Sequence, residues 1–419
     1  LYKYRMINTE NANMAEEKVG LVRKLTLPLL VLYGLGVTIG AGIYVLVGAT
    51  AAQAGIYAPV SFLVAAVVVS FTGFTYAELS TRYPVSAGEA AYVRAGLNSR
   101  TLTLIVGLLV AASGIVSSAA VSIGAAAYVG EIVSLSPILL TTAIILIVGA
   151  LAVWGILESV FIAAVFTLVE IGGLCLVIYY GISSDPAILT ELGDLVPPFE
   201  VSIWSGILSA SLLAFFAFVG FEDIANVAEE VVEPHKTMPL GIILTLLVAT
   251  IAYFLVVSVV VLVVPMADLA GSAAPLALVF EKAGDATGGI FHLIAIVATT
   301  NGVLIQIIMA SRVIYGLAKQ QNLPSFLAAV HPATRTPIVA TALIVALVLI
   351  FATLLPIGRL AQTTSTIVLI VFFLVNLSLI RLKMTSDQPS EGVFVVPIWV
   401  PVMGGASSAA LLIIGFLPF

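Results

Sequence analysis

The chain has 419 residues, of which 61% are apolar and 9% charged, with a mean hydropathy of +1.21. A water-facing globular surface carries about 25% charged residues, so this composition excludes an ordinary soluble domain and points to lipid as the main solvent. The acidic balance, 16 Lys plus Arg against 22 Asp plus Glu, offers no basic footprint for nucleic acid. The single Cys175 can build neither an intrachain disulfide nor a thiolate metal site. No cofactor and no bound metal are expected.

Residues 1–26 are polar and charged, without the apolar core and small-residue cleavage site of a secretory signal. They are expected to form a cytoplasmic N-terminal segment, and a chain opening on Leu1 is expected to lack its first residues. A spanning helix needs about 20 mostly apolar residues. That ruler gives eleven spans, near 27–53, 59–82, 101–128, 137–154, 159–182, 204–231, 240–264, 289–317, 337–355, 360–380 and 397–417. Lys3, Arg5, Lys18, Arg23 and Lys24 precede the first, which places the N-terminus inside. Arg82, Arg94, Arg100, Lys236, Lys319, Arg335, Arg381 and Lys383 then fall in inside loops, while only Lys282 and Arg359 fall outside. Asp185, Glu191, Asp194, Glu200 and Asp268 lie in outside loops.

Five spans per set mean that, if residues 204–380 copy residues 27–182, the second copy is inverted in the membrane. Residues 381–419 then form an inside loop and a final span. Both first members carry a weak point: Gly34-Leu-Gly-Val-Thr-Ile-Gly-Ala-Gly42 in span one and Phe218-Val-Gly-Phe-Glu-Asp-Ile224 in span six. Irregular helices at matching places in two halves mark a transporter's midplane site.

The glycine run has two readings. Gly36 and Gly40 form a small-xxx-small pair suited to close helix packing. Alternatively glycine unwinds the helix around Thr38, Ile39, Gly40, Ala41 and Gly42, so that the following half-helix offers free N–H groups and its positive end to a carboxylate. On that reading a side chain added at Gly42 obstructs the anion. A charge near the bilayer centre costs at least about 2.5 kcal/mol, so Glu222 and Asp223 must face protein or water. Either span six lies shallow with both acids at its cytoplasmic end, or Gly220 breaks it and Glu222 and the freed carbonyls meet an ammonium group or a cation. Glu170 lies midway along span five, where lack of water favours the neutral acid and suits a proton carrier; the plainer reading is a protonated carboxyl that bonds a neighbouring helix. Glu78 and Arg82 are spaced to pair. Asn301 and Gln306 either line the cavity or bridge helices, and Arg312 snorkels or caps a gate.

At these residues the chain resembles the amino acid–polyamine–organocation permeases, most of all their prokaryotic amino acid permeases. Gly36 to Gly48 is similar to the family's first-helix signature. Tyr76-Ala-Glu-Leu with Tyr83 to Tyr92 resembles the second helix and first inside loop. Phe215 to Phe221 with Ala228-Glu-Glu-Val, Pro234 and Pro239 resembles the sixth helix, and Ala310 to Ala318 with Asn322-Leu-Pro324, His331-Pro and Thr336-Pro the eighth and its loop. The resemblance runs from about residue 25 to 380. It implies an all-α polytopic fold, a five-plus-five inverted repeat with broken first and sixth helices.

It further implies that backbone at Ile39 to Gly42 holds a substrate carboxylate and that carbonyls at Phe218, Val219 and Gly220 hold its amino group. Phe221 and Glu222 would shape the side-chain pocket, with Asp223 and Asn301 as further lining. Several members carry a lysine on the fifth helix, tied to proton coupling. Glu170 falls at that position here, which leaves the coupling ion open. Members commonly have twelve spans; with eleven here, the C-terminus is either truncated or outside. The expectation is therefore a plasma-membrane secondary transporter, monomeric or homodimeric, moving amino acids by alternating access with a proton. A sodium-driven or exchange permease is the alternative, an ion channel the next, and no enzyme signature appears in any span.

Overall fold

In lipid every backbone polar group must be satisfied inside the segment, so a chain this apolar can only build helices across the membrane. The computed structural model describes residues 21–130, 132–154, 156–272, 275–283, 288–385 and 392–416. The N-terminal segment before residue 21 thus lies outside the described residues. Nine helices of at least 18 residues are long and apolar enough to cross a membrane, and Ile338–Leu354 and Trp399–Ile413 are shorter apolar helices. Together they make the eleven expected spans among the described residues.

In chain order the main helices are α1 (Leu27–Thr38), α2 (Gly40–Ala54), α3 (Ala58–Arg82), α4 (Gly88–Leu97), α5 (Arg100–Gly130), α6 (Pro137–Trp154) and α7 (Ile156–Ser184). There follow α8 (Val201–Phe218), a 3-10 helix over Phe221–Glu230, α9 (Pro234–Val263), α10 (Gly288–Lys319), α11 (Ile338–Leu354), α12 (Ile357–Met384) and α13 (Trp399–Phe416). Proline occupies the first turn of α1, α3 and α9, where its missing N–H costs nothing and its fixed φ favours helix entry. Among the described residues there are no strands, only one isolated parallel bridge between Leu25 and Val231.

Burial follows the two solvents. The span within α10 is the most buried of the spans, while Ile147, Phe161 and Leu168 on α6 and α7 stand on the outer surface, where apolar side chains meet lipid at no cost. The α3–α12–α13 contact is set by a polar knot. Asn376 donates to Thr72 Oγ1 at 3.0 Å and accepts from Thr75 Oγ1 at 2.7 Å, and Gly404 of α13 is small enough to seat against the Asn376 side chain. Glu78 is fully buried and accepts from Arg82, Lys383 and the Val396 N–H. The Glu78–Arg82 pairing read from spacing is present, and the structure adds Lys383, which ties the approach to α13 onto α3.

Both weak points are real interruptions, of different kinds. At Ile39 the backbone stays in the right-handed helical region (φ −69°, ψ −25°), yet the helix ends and restarts there. The Gly40, Ala41 and Gly42 N–H groups therefore take no carbonyl of α1, and no side chain caps α2. The unwinding expected over Thr38 to Gly42 is confined to one residue. The second interruption is complete: Val219 is extended (ψ 131°) and Gly220 has φ 123°. That region is open to glycine and strained for other residues, and Val37 lies close enough to meet any Cβ placed there.

Candidate functional site

The two interruptions meet. Val37, Thr38 and Gly42 from the first and Val219 from the second border one internal cavity of about 50 Å³, completed by side chains including Ser117, Gln306 and Thr364. Ligand pockets commonly measure about 300–1,000 Å³, so this conformation is nearly closed around its centre. Gly40 is buried, yet a Cβ built on it meets nothing within 4 Å. A Cβ on Gly42 would instead sit 2.7 Å from the Ala217 Cα of α8. Gly42 is thus packed tightly where the two broken helices cross, and it also borders the cavity. Gly36 is also a packing position, held against Thr167 and Asn301, so the small-xxx-small reading holds for Gly36 and not for Gly40.

Tyr253 of α9 joins the interruptions from outside. Its hydroxyl lies 2.5 Å from the Thr38 carbonyl and 2.8 Å from the Ala217 carbonyl, the acceptors freed by the two breaks. The Phe216 carbonyl accepts from Val219 N–H and the Gly220 carbonyl from Asp223 N–H. The Phe218 and Val219 carbonyls remain without a partner among the described residues. Of the carbonyls expected to receive an amino group, Gly220's is therefore already used.

The acidic pair after the break is placed differently from the sequence expectation. Glu222 is buried, and its carboxylate turns back to accept the Gly220 N–H at 2.8 Å; it caps its own half-helix. Phe221 stacks edge-on against Tyr76 and lies tilted on Phe372. Neither side chain borders the cavity in this conformation. Asp223 stands behind it, accepting from Gln306 at 2.8 Å.

A separate buried centre surrounds Glu170. Asn301 of α10 donates to Glu170 Oε1 at 2.8 Å and approaches Thr167 Oγ1 at 3.1 Å. Tyr44 of α2 donates to the Glu170 carbonyl at 3.3 Å, and Thr167 lies 3.0 Å from the Leu32 carbonyl of α1. Glu170 is fully buried, its Oε2 and Asn301 Oδ1 have no partner, and among the described residues no cation pairs with it. Asn301 thus belongs to this centre and not to the cavity wall.

Two interrupted helices facing one central cavity, with a lone acid between α7, α10 and the first break, is a carrier's arrangement, and the comparisons agree. The amino acid permease family matches residues 25–419. The chain belongs to that family.

The branched-chain amino acid permease BcaP of Bacillus subtilis (strain 168) is 31% identical over 398 residues, covering 88% of this chain and 83% of that protein. The methylthioribose transporter of the same organism is 29% identical over 421 residues, covering 96% and 89%. Among solved structures, a mutant of the Eremococcus coleocola manganese transporter superposes with a TM-score of 0.60 at 15% identity, covering 92% of this chain and 85% of that one. That likeness shows the fold. This permease is an integral membrane transporter and not an enzyme, built as the all-α polytopic five-plus-five inverted repeat.

One end of the permease is tied shut. Arg312 donates to Glu230 at 2.8 Å with both side chains fully buried, so Arg312 serves as a latch and does not snorkel. Lys319 pairs with Glu229 at 2.7 Å, whose other oxygen accepts the Ser86 N–H at 3.2 Å. The Lys24 and Leu25 N–H groups both donate to the Glu230 carbonyl, which binds the start of α1 to the end of the 3-10 helix. Removing one partner of a buried ion pair costs about 3–5 kcal/mol, so Arg312→Met should loosen this end selectively.

Beside the latch, Asn226 donates to Glu89 at 3.1 Å and accepts the Gly88 N–H at 3.2 Å. Burial raises Glu89 of α4 from 4.5 to about 8, with the Glu222 charge adding and the Asn226 amide opposing. A folded value above the unfolded one means the native state holds the proton more tightly, so stability from this group is present at low pH and lost as pH rises from about 4.5 to 8. Melting temperature measured across that range should fall in the wild type and fall less in Glu89→Gln.

Sequence reasoning missed Tyr253 and Glu89. A lone tyrosine inside an apolar span is the only signal Tyr253 carried, and Glu89 read as part of a loop motif. Ser117 and Thr364, ordinary hydroxyls in apolar helices, carried none.

Proposed function

We propose that this permease moves amino acids across the plasma membrane by alternating access, with residues 27–182 and 204–380 as inverted units and the N-terminus in the cytoplasm. The observation that carries the reading is the meeting of two opposite helix ends on one cavity. Free N–H groups at Gly40, Ala41 and Gly42 suit a carboxylate, because a helix start adds its dipole to unpaired donors. Unpartnered Phe218 and Val219 carbonyls suit the ammonium group. The cavity's small volume and the latched end describe a closed state through which the carrier passes.

Glu170 is the coupling residue, and the proton is the coupling ion. A proton on Oε2 neutralises a buried charge that no cation among the described residues compensates, and intramembrane acids without such a partner are characteristic of proton pathways. The sodium reading rests on a specific pair of atoms, the unpartnered Glu170 Oε2 and Asn301 Oδ1, which are the oxygen ligands a hard cation prefers.

The substrate class is tested by competition. Amino acid methyl esters remove the carboxylate charge and N-acetyl amino acids remove the ammonium. Both should compete with labelled amino acid uptake into liposomes at least about tenfold more weakly than the parent, as expected for one lost charged hydrogen bond. Equal competition by either derivative points to an amine or an organic acid instead.

A further inference from the structure

A second groove, of about 600 Å³, lies at the latched end, where three spans terminate. Tyr83 directly follows α3, Arg100 opens α5, and Gln320 directly follows α10, and all three line it. Arg94 of α4 and Arg100 both reach the groove, and both are exposed. The acids in ion pairs among the described residues are Glu78, Glu229, Glu230 and Glu233, and none of them pairs with Arg94 or Arg100. Arg100 Nη2 donates to the Gln321 carbonyl at 2.9 Å. That bond holds one edge of the guanidinium and leaves its other donors for a ligand. Val85, Ala91 and Ala95 supply an apolar wall beside the two charges.

Two guanidiniums without an ion pair among the described residues, around one concavity, stand out on a chain of net charge −6. Guanidinium presents a planar fork that matches phosphate oxygens. Basic pockets between helices at the membrane surface recognise anionic headgroups. We propose that the Arg94–Arg100 groove binds the phosphate of an anionic phospholipid, whose uppermost acyl-chain carbons lie on Val85, Ala91 and Ala95. A soluble phosphate ester shares the charge but has no use for the apolar wall at the level where the spans end. The bound headgroup bridges α4 and the start of α5, whose Arg100 also holds the segment after α10, and so braces the end of the bundle that Lys319 and Glu229 also close.

The test is lipid retention by the purified full-length protein in neutral detergent, read by native mass spectrometry with phosphatidylglycerol against phosphatidylcholine. The wild type should retain phosphatidylglycerol selectively. A surface arginine contributes about a fivefold preference, so R94Q/R100Q should lose about 25-fold. Arg94→Gln alone, which breaks no hydrogen bond of the protein, should lose about fivefold. The control R335Q/R381Q removes the same charge elsewhere and should retain the lipid. An equal loss in that control, or no preference for phosphatidylglycerol in the wild type, overturns the site. Glycerol 3-phosphate binding as tightly as phosphatidylglycerol would overturn the lipid as the source and leave a soluble anion.

Discussion

Glu170→Gln should abolish proton-driven accumulation while leaving exchange of internal for external amino acid in place. Glutamine keeps the length and shape of the neutral acid and can still meet Asn301, which lies 2.8 Å from the carboxyl, but it carries no proton. One pH unit of inward gradient supports about tenfold accumulation of a substrate moved with one proton. The variant should therefore fall from about tenfold to no accumulation in proteoliposomes under that gradient. Exchange needs no net proton movement, so its rate should stay within a few-fold of the wild type. Sodium dependence separates the alternative: if Glu170 and Asn301 hold a cation, removing sodium stops uptake at every pH. Accumulation that survives Glu170→Gln unchanged would leave the acid as a buried hydrogen-bonding group between α7 and α10.

Gly40→Val should fold normally and lose uptake, whereas Gly42→Val should fail to fold stably. The difference lies in what each new Cβ meets. Nothing lies within 4 Å at Gly40, while at Gly42 the Ala217 Cα is 2.7 Å away and belongs to a backbone that cannot step aside. Valine also forms helix better than glycine, so the first substitution carries no intrinsic folding cost. If carboxylate docks on the free N–H groups at the start of α2, an isopropyl group there removes one or two charged hydrogen bonds. Each is worth about 1.5–3 kcal/mol, and losing one should raise the half-saturating concentration about 10- to 100-fold. Monodisperse Gly40→Val protein with wild-type uptake would remove the carboxylate from this helix start.

Much of this molecule was written in local sequence. Lipid permits only internally satisfied helices, so spacing and hydropathy alone determined eleven spans. Glycine was legible where conformation demands it, as at Gly220 with its φ of 123°, and the Glu78–Arg82 pair was legible because one helical turn brings both to one face. Glu170 could be picked out because an acid amid apolar residues must find a proton or a partner, though which of the two was not legible. What each group faces was decided only in three dimensions. Glycines two residues apart, Gly40 and Gly42, look alike in sequence but point to different sides of a helix, one into space and the other onto Ala217. Glu222 was open to a ligand or to a shallow cytoplasmic end, yet it caps Gly220, because the break leaves an N–H within reach of a side chain two residues on. Asn301 went to Glu170 and Gln306 to Asp223, and Tyr253 closed the carbonyls of both breaks from a span 36 residues past Ala217. A polar group in a membrane core must find a partner, but sequence states only the need, and which partner answers depends on helices far apart in the chain packing side by side.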